Sequence, residues 1–123
     1  MTHDDGTLWW RVGGILGALG VALGAFGAHG LQGRVDPPAL EWWHTASRYQ
    51  TLHALAILAV AAHPAVPRWA GWSFLTGIVL FSGSLYVMTL TGIRALGAIT
   101  PLGGLCFIAG WLLLAFAGRG TPT

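Results

Sequence analysis

The chain contains no lysine, and only four carboxylates, Asp4, Asp5, Asp36 and Glu41. With six arginines, charged residues make up 8% of 123 residues, against about 25% in an average soluble domain. So few charges cannot cover a short chain that is 54% hydrophobic, which excludes a water-soluble globule. Disorder is excluded by the same figures, because it needs low hydrophobicity and high net charge. The net charge of +2 comes from scattered arginines without a basic run to track phosphates, so nucleic acid is not an expected partner. Cys106 is the single cysteine, which rules out a disulfide framework or a thiolate metal cluster. Within its apolar stretch it reads as a small hydrophobe. No acidic residue stands between Leu52 and Arg119, which argues against a proton-coupled exchanger of the small multidrug type. Neither H-E-x-x-H, G-x-S-x-G nor a P-loop occurs, so an enzyme is not expected, nor a metal or other cofactor.

What the chain does have is apolar length. A mean hydropathy of +0.66 and 19 glycines describe a small integral membrane protein, with the lipid bilayer as its first partner. Val12 to Ala28 is free of charge, and Trp9, Trp10 and Arg11 extend it to about 20 residues, enough for about 30 Å of hydrocarbon. A cleaved signal peptide is the rival reading of this run, disfavoured by its glycine content and by the membranous chain that follows. Asp36-Pro37-Pro38 reads as a helix start with Asp36 as N-cap. The strongly apolar part of that helix, Leu52 to Ala62, is too short to cross alone and recruits the polar stretch from Trp42 to Thr51. His63 to Arg68 breaks the chain, and Trp69 to Leu90 supplies a third span. Thr100-Pro101 opens a fourth, or else kinks a helix already begun before Leu96.

The expected fold class is therefore all-α, an integral membrane antiparallel four-helix bundle in a single domain, residues 1–123. Its spans fall at about 9–28, 39–62, 69–90 and 97–117. An even number of spans puts both termini on one side. Trp9, Trp10, Trp69, Trp72 and Trp111 then form one interfacial girdle, and Trp42 and Trp43 the other. Arg11, Arg68 and Arg119 flank the terminal side, and Arg34, Arg48 and Arg94 the opposite one. That tie tilts towards termini in the cytoplasm once Arg48 is counted inside its helix.

Gly13, Gly17, Gly20, Gly24 and Gly27 alternate in steps of four and three, which makes one seam along the first helix. The seam serves either packing against the second helix or a homodimer through G-x-x-x-G contacts. Gly77, Gly83, Gly103, Gly104 and Gly110 offer further close-contact positions, and Ser82 and Ser84 have carbonyls one turn earlier within reach.

Ionisable and polar groups at membrane depth mark sites by default. The candidates are His29, Glu41, His44, Arg48, Gln50, His53 and Arg94. Glu41, His44 and Arg48 lie in the first turns after Pro38, where long side chains snorkel. Gln50 and His53 lie deeper, where interhelical hydrogen bonds are the ordinary role. Two histidines on neighbouring helices, His29 and His53, are also a haem-ligating arrangement, although no C-x-x-C-H motif accompanies them.

In order along the chain stand Gly24-Ala25-Phe26-Gly27-Ala28-His29, Tyr49-Gln50 with His53, Phe81-Ser82-Gly83-Ser84-Leu85-Tyr86, Thr100-Pro101 with Gly103-Gly104, and Gly110-Trp111. This series resembles the YgdD-like family of small multi-pass membrane proteins of unknown function. The resemblance implies a four-span protein of the bacterial inner membrane without established activity, cofactor or substrate, with termini inside. Glu41, His44 and Arg48 lie outside the shared motifs, which favours His29, Tyr49, Gln50, His53, Ser82, Ser84 and Tyr86 as the polar cluster. That cluster is expected between the first two helices and the start of the third, near the face opposite the termini. It is read as fixing the bundle or meeting a lipid head group, a partner membrane protein or a second copy. A small-molecule carrier or a haem- or quinone-binding protein built on the same cluster is the competing class.

Overall fold

The computed structural model describes residues 3–118, and side chains from Gly6 onward. Arg119, counted above among the flanking arginines, and the tail after it lie outside the described residues. Every regular element described is helical. α1 (His3–Phe26) runs into a π-helical turn (Gly27–Leu31), and α2 (Pro37–Ala62) follows after a short loop. α3 (Trp69–Gly77), a second π-helical turn (Ile78–Ser82) and α4 (Gly83–Thr91) form one rod. A 3-10 turn (Arg94–Ala98) leads into α5 (Thr100–Ala115). Four rods result, and three of them, Gly6–Leu31, Trp69–Thr91 and Arg94–Ala115, are long and apolar enough to cross a membrane. The rod outside that set is α2, whose first half carries the polar stretch.

Neighbouring rods run antiparallel, with α2 at the centre. Positions 13, 20 and 27 of the first rod meet Leu58, Thr51 and Trp43 of α2 in descending order. A methyl group on Gly13 would lie 2.7 Å from Leu58 Cδ2, and one on Gly27 2.5 Å from Trp43 Cδ1. Gly17 and Gly24 are looser, at 3.8 Å from the Ala54 methyl and 3.3 Å from Ser47 Oγ. Tight positions thus recur every seven residues, the period of a left-handed helix pair. All five glycines face α2 inside this one chain.

The α3–α4 rod packs on α2 on one side and on α5 on the other. Phe74, Ile57, Val60 and Ala70 are buried at its centre, with Trp9 closing the terminal end. Gly103 lets α5 approach the backbone of Phe81 at the second π-helical turn, where a methyl group would sit 2.8 Å from Phe81 Cα. Gly110 admits the ring of Phe74 in the same way.

Several expectations change. Trp9 and Trp43 are buried, 2% and 3% exposed, so they leave the interfacial girdles. Trp9 packs edge-on against Trp72, ring centroids 5.0 Å apart, and Trp43 fills the space left by Gly27. Trp10, Trp69 and Trp72 remain more than half exposed. Asp36 occupies the N-cap position of α2, but its side chain makes no capping bond. Pro37 and Pro38, which follow it, have no N–H to offer at the first two positions. Thr100 is likewise not a cap: Ile99 holds that position, and Thr100 and Pro101 are the first two residues of α5 behind a 3-10 lead-in.

Candidate functional site

α2 supplies the polar side chains of the interior. Gln50 is its fourteenth residue of 26 and is buried, 3% exposed. Its amide nitrogen donates to the carbonyl of Leu16 on α1 at 2.9 Å. Its amide oxygen accepts the phenol of Tyr86 on α4 at 2.7 Å. One side chain therefore ties three rods.

His53 lies one turn further along and is 2% exposed. Its Nε2 lies 3.0 Å from the indole N–H of Trp111 on α5, which can only donate, so Nε2 accepts and carries no proton. The ring proton is on Nδ1, which donates to the carbonyl of Tyr49 at 2.8 Å. The imidazole lies flat on Phe107, with centroids 3.6 Å apart and planes 5° from parallel. Phe74 approaches from a third direction at 5.7 Å. Both ring nitrogens are thus engaged within the chain, and neither has a lone pair left for a metal or a haem iron.

Small hydroxyls complete the set. Ser82, fully buried in the π-helical turn, donates to the carbonyl of Ala46 on α2 at 2.7 Å. This differs from the expected bond to a carbonyl one turn earlier, because the π-helical turn directs Ser82 towards α2. Ser84 does bond back, to Phe81 at 3.0 Å, and also meets the Thr100 hydroxyl of α5 at 2.7 Å. Thr89 donates between its own Leu85 carbonyl and that of Ala39 on α2, at 2.9 and 3.0 Å. Trp43 closes the α1 side by donating to the carbonyl of Leu23 at 2.7 Å.

The structure thus brings Gln50, Tyr86, His53, Ser82 and Ser84 into the interior. Tyr49 enters through its backbone carbonyl, while its ring, 37% exposed, lies against Phe81 at 4.7 Å. His29 stands apart, exposed on the first π-helical turn beside the α1–α2 loop. Gly27 of that turn packs on Trp43 and His44, about 15 Å along α2 from His53, so the two histidines do not converge. The cluster also reaches α5 and lies at the middle of α2 rather than at the loop end. Glu41 and Arg48 point outward from α2 and are exposed, with His44 half-buried between them. Among the described residues, no three His, Cys, Asp or Glu side chains stand close enough to hold a metal ion.

Sequence reading missed Trp111, Thr100, Trp43 and Thr89. Thr and Trp in apolar runs read as packing or interface residues, and their carbonyl partners carry no side-chain signal at all.

Regular structure that is all helical among the described residues, with three membrane-length apolar rods held by polar bonds between them, defines a small helical membrane protein. The chain belongs to the family described as "Protein of unknown function (DUF423)", whose pattern matches residues 23–104. Among its relatives is a UPF0382 membrane protein of Staphylococcus aureus, 48% identical over 111 residues, covering 84% of this chain and 91% of that protein. The UPF0382 membrane protein YwdK of Bacillus subtilis is 46% identical over 112 residues, covering 86% and 91%. A UPF0382 membrane protein of Schizosaccharomyces pombe is 46% identical over 110 residues, covering 83% and 93%. No solved structure matches.

Proposed function

We propose that this chain is a non-enzymatic, YgdD-like accessory protein that crosses the bacterial inner membrane four times with both termini in the cytoplasm. α2 is the fourth crossing. Its 26 residues span about 39 Å, and its deep polar groups turn inward while Leu52 and Leu55 face out. Glu41 and Arg48, on the half nearer the α1–α2 loop, reach back towards the head groups along the N-terminal tilt of helical side chains.

One observation carries the non-enzymatic reading. Among the described residues, every buried side-chain nitrogen or oxygen has a hydrogen-bond partner inside the chain. A catalytic or carrier site keeps some polar capacity free for its substrate. Here Gln50, His53, Ser82 and Tyr86 spend theirs inside the bundle, His53 on both α5 and its own helix. Neither the cleft at the loop end nor the groove beside the glycine seam is lined by any of the four.

The test is native mass spectrometry of the protein released mildly from its own membrane. A mass of 12.9 kDa, or a simple multiple, is the expected result. A stoichiometric added mass of a haem or quinone, lost on His53→Ala, overturns the proposal in favour of a redox-cofactor protein.

A further inference from the structure

At the end of the bundle opposite the termini, the start of α2 and the end of α4 enclose a cleft of about 300 Å³. Its walls include Asp36, Pro38, Trp42, Thr89, Gly92 and Arg94. Gly92 ends α4 in the left-handed conformation, φ 75°, and turns the chain so that Arg94 comes back over α2. The Arg94 guanidinium rests on the Trp42 indole, 5.4 Å from its centroid. Among the described residues, neither Asp36 nor Arg94 has an opposite charge within 4.0 Å. The cleft is therefore lined by one acid and one base that do not neutralise each other, the base held on the Trp42 indole. Its depth is set by the apolar rods, which end at Leu31 and Thr91 and begin again at Arg94. On the four-crossing reading proposed above, that is the level at which hydrocarbon gives way to head groups.

We infer that this cleft binds the head group of a zwitterionic phospholipid carrying a primary amine, the phosphoethanolamine type. Arg94 donates its planar fork to the phosphate, held in place by the indole beneath it. The Asp36 carboxylate accepts from the ammonium group at the other end of the head group. Pro37 and Pro38 remove two of the N–H groups with which the start of α2 would otherwise hold a phosphate, so Arg94 is the main donor there. A head group of glycerol type offers Asp36 no cation. A choline offers a quaternary nitrogen without an N–H, and the aromatic face it would seek is covered by Arg94. The inference rests on the membrane reading but not on the roles of Gln50 and His53, neither of which lines the cleft.

The test uses the full chain, stripped of lipid in detergent and titrated in native mass spectrometry. Phosphatidylethanolamine, phosphatidylglycerol and phosphatidylcholine with identical acyl chains are compared, and soluble phosphorylethanolamine is titrated separately. The expected result is about tenfold tighter binding of phosphatidylethanolamine than of the other two lipids. Asp36→Asn erases that preference, and Arg94→Gln weakens all three lipids; both residues are exposed, so both variants are expected to fold. Equal binding of the three lipids overturns the inference, as does indifference to both substitutions. Binding of soluble phosphorylethanolamine as tight as that of the lipid overturns the membrane source.

Discussion

Trp111 donates its indole N–H to His53 Nε2 across 3.0 Å, from the last helix to the central one. This bond fixes the tautomer of the histidine, whose other nitrogen closes on Tyr49 within α2. Phenylalanine at 111 keeps most of the ring and removes the donor. Interhelical hydrogen bonds in membrane proteins contribute about 0.6–2 kcal/mol, so Trp111→Phe is expected to destabilise by about 1 kcal/mol. Thermal unfolding in detergent measures it. Nitrogen-15 NMR of the wild-type ring is expected to show a protonated Nδ1 and an unprotonated Nε2.

The Gln50–Tyr86 pair behaves differently when both partners are changed. Tyr86→Phe strands the Gln50 amide oxygen, and Gln50→Leu strands the phenol, each by about 1–2 kcal/mol. In the double variant nothing polar remains to be stranded at that contact. Its loss of stability is expected to fall short of the sum of the single losses by about 1 kcal/mol, measured as a double-mutant cycle in one detergent.

Adjacent glycines on α5 offer a matched comparison. A methyl group on Gly103 would strike the backbone of Phe81, whereas one on Gly104 meets nothing within 4 Å. Gly103→Ala is expected to destabilise by about 2 kcal/mol or more, because the α3–α4 rod must move away. Gly104→Ala is expected to be neutral, or to stabilise by about 0.5–1 kcal/mol through helix propensity. Melting temperatures of the two variants, measured side by side, check the ordering.

The helices are legible in the sequence because their punctuation is physical. Pro37-Pro38, the His63–Arg68 break and Gly92 stand within a few residues of helix boundaries, and the glycine steps of four and three trace the face that α1 turns to α2. His53 stands out because it interrupts an apolar run, and Gln50 because it is a polar residue deep in a helix that has to cross lipid. Of their partners only Tyr86 is legible, through the family resemblance. Two are carbonyls, of Leu16 and Tyr49, which every residue possesses, and Trp111 carries the usual signature of an interface anchor. His29 misleads for the opposite reason: a histidine near a helix end attracts attention, yet the π-helical turn leaves it exposed beside the loop.

The four crossings proposed here would place the α1–α2 loop on one side, and the α2–α3 loop and the end of α5 on the other. With Cys106→Ala as background, single cysteines at Arg34, Pro64 and Gly118, all exposed, report this directly. An impermeant maleimide added to intact spheroplasts is expected to label position 34 and spare 64 and 118 until the membrane is opened. Labelling of position 64 together with 34 contradicts a crossing by α2.

Stability of the Gln50→Ala/His53→Ala variant in lipid nanodiscs tests most directly whether the buried polar groups serve the fold. The two substitutions open a cavity between α2, α4 and α5 and strand Tyr86 and Trp111. A loss of about 3 kcal/mol or more is expected, seen as a large fall in melting temperature with no bound chromophore released. Unchanged stability, accompanied by loss of a bound small molecule, contradicts a structural role for the cluster.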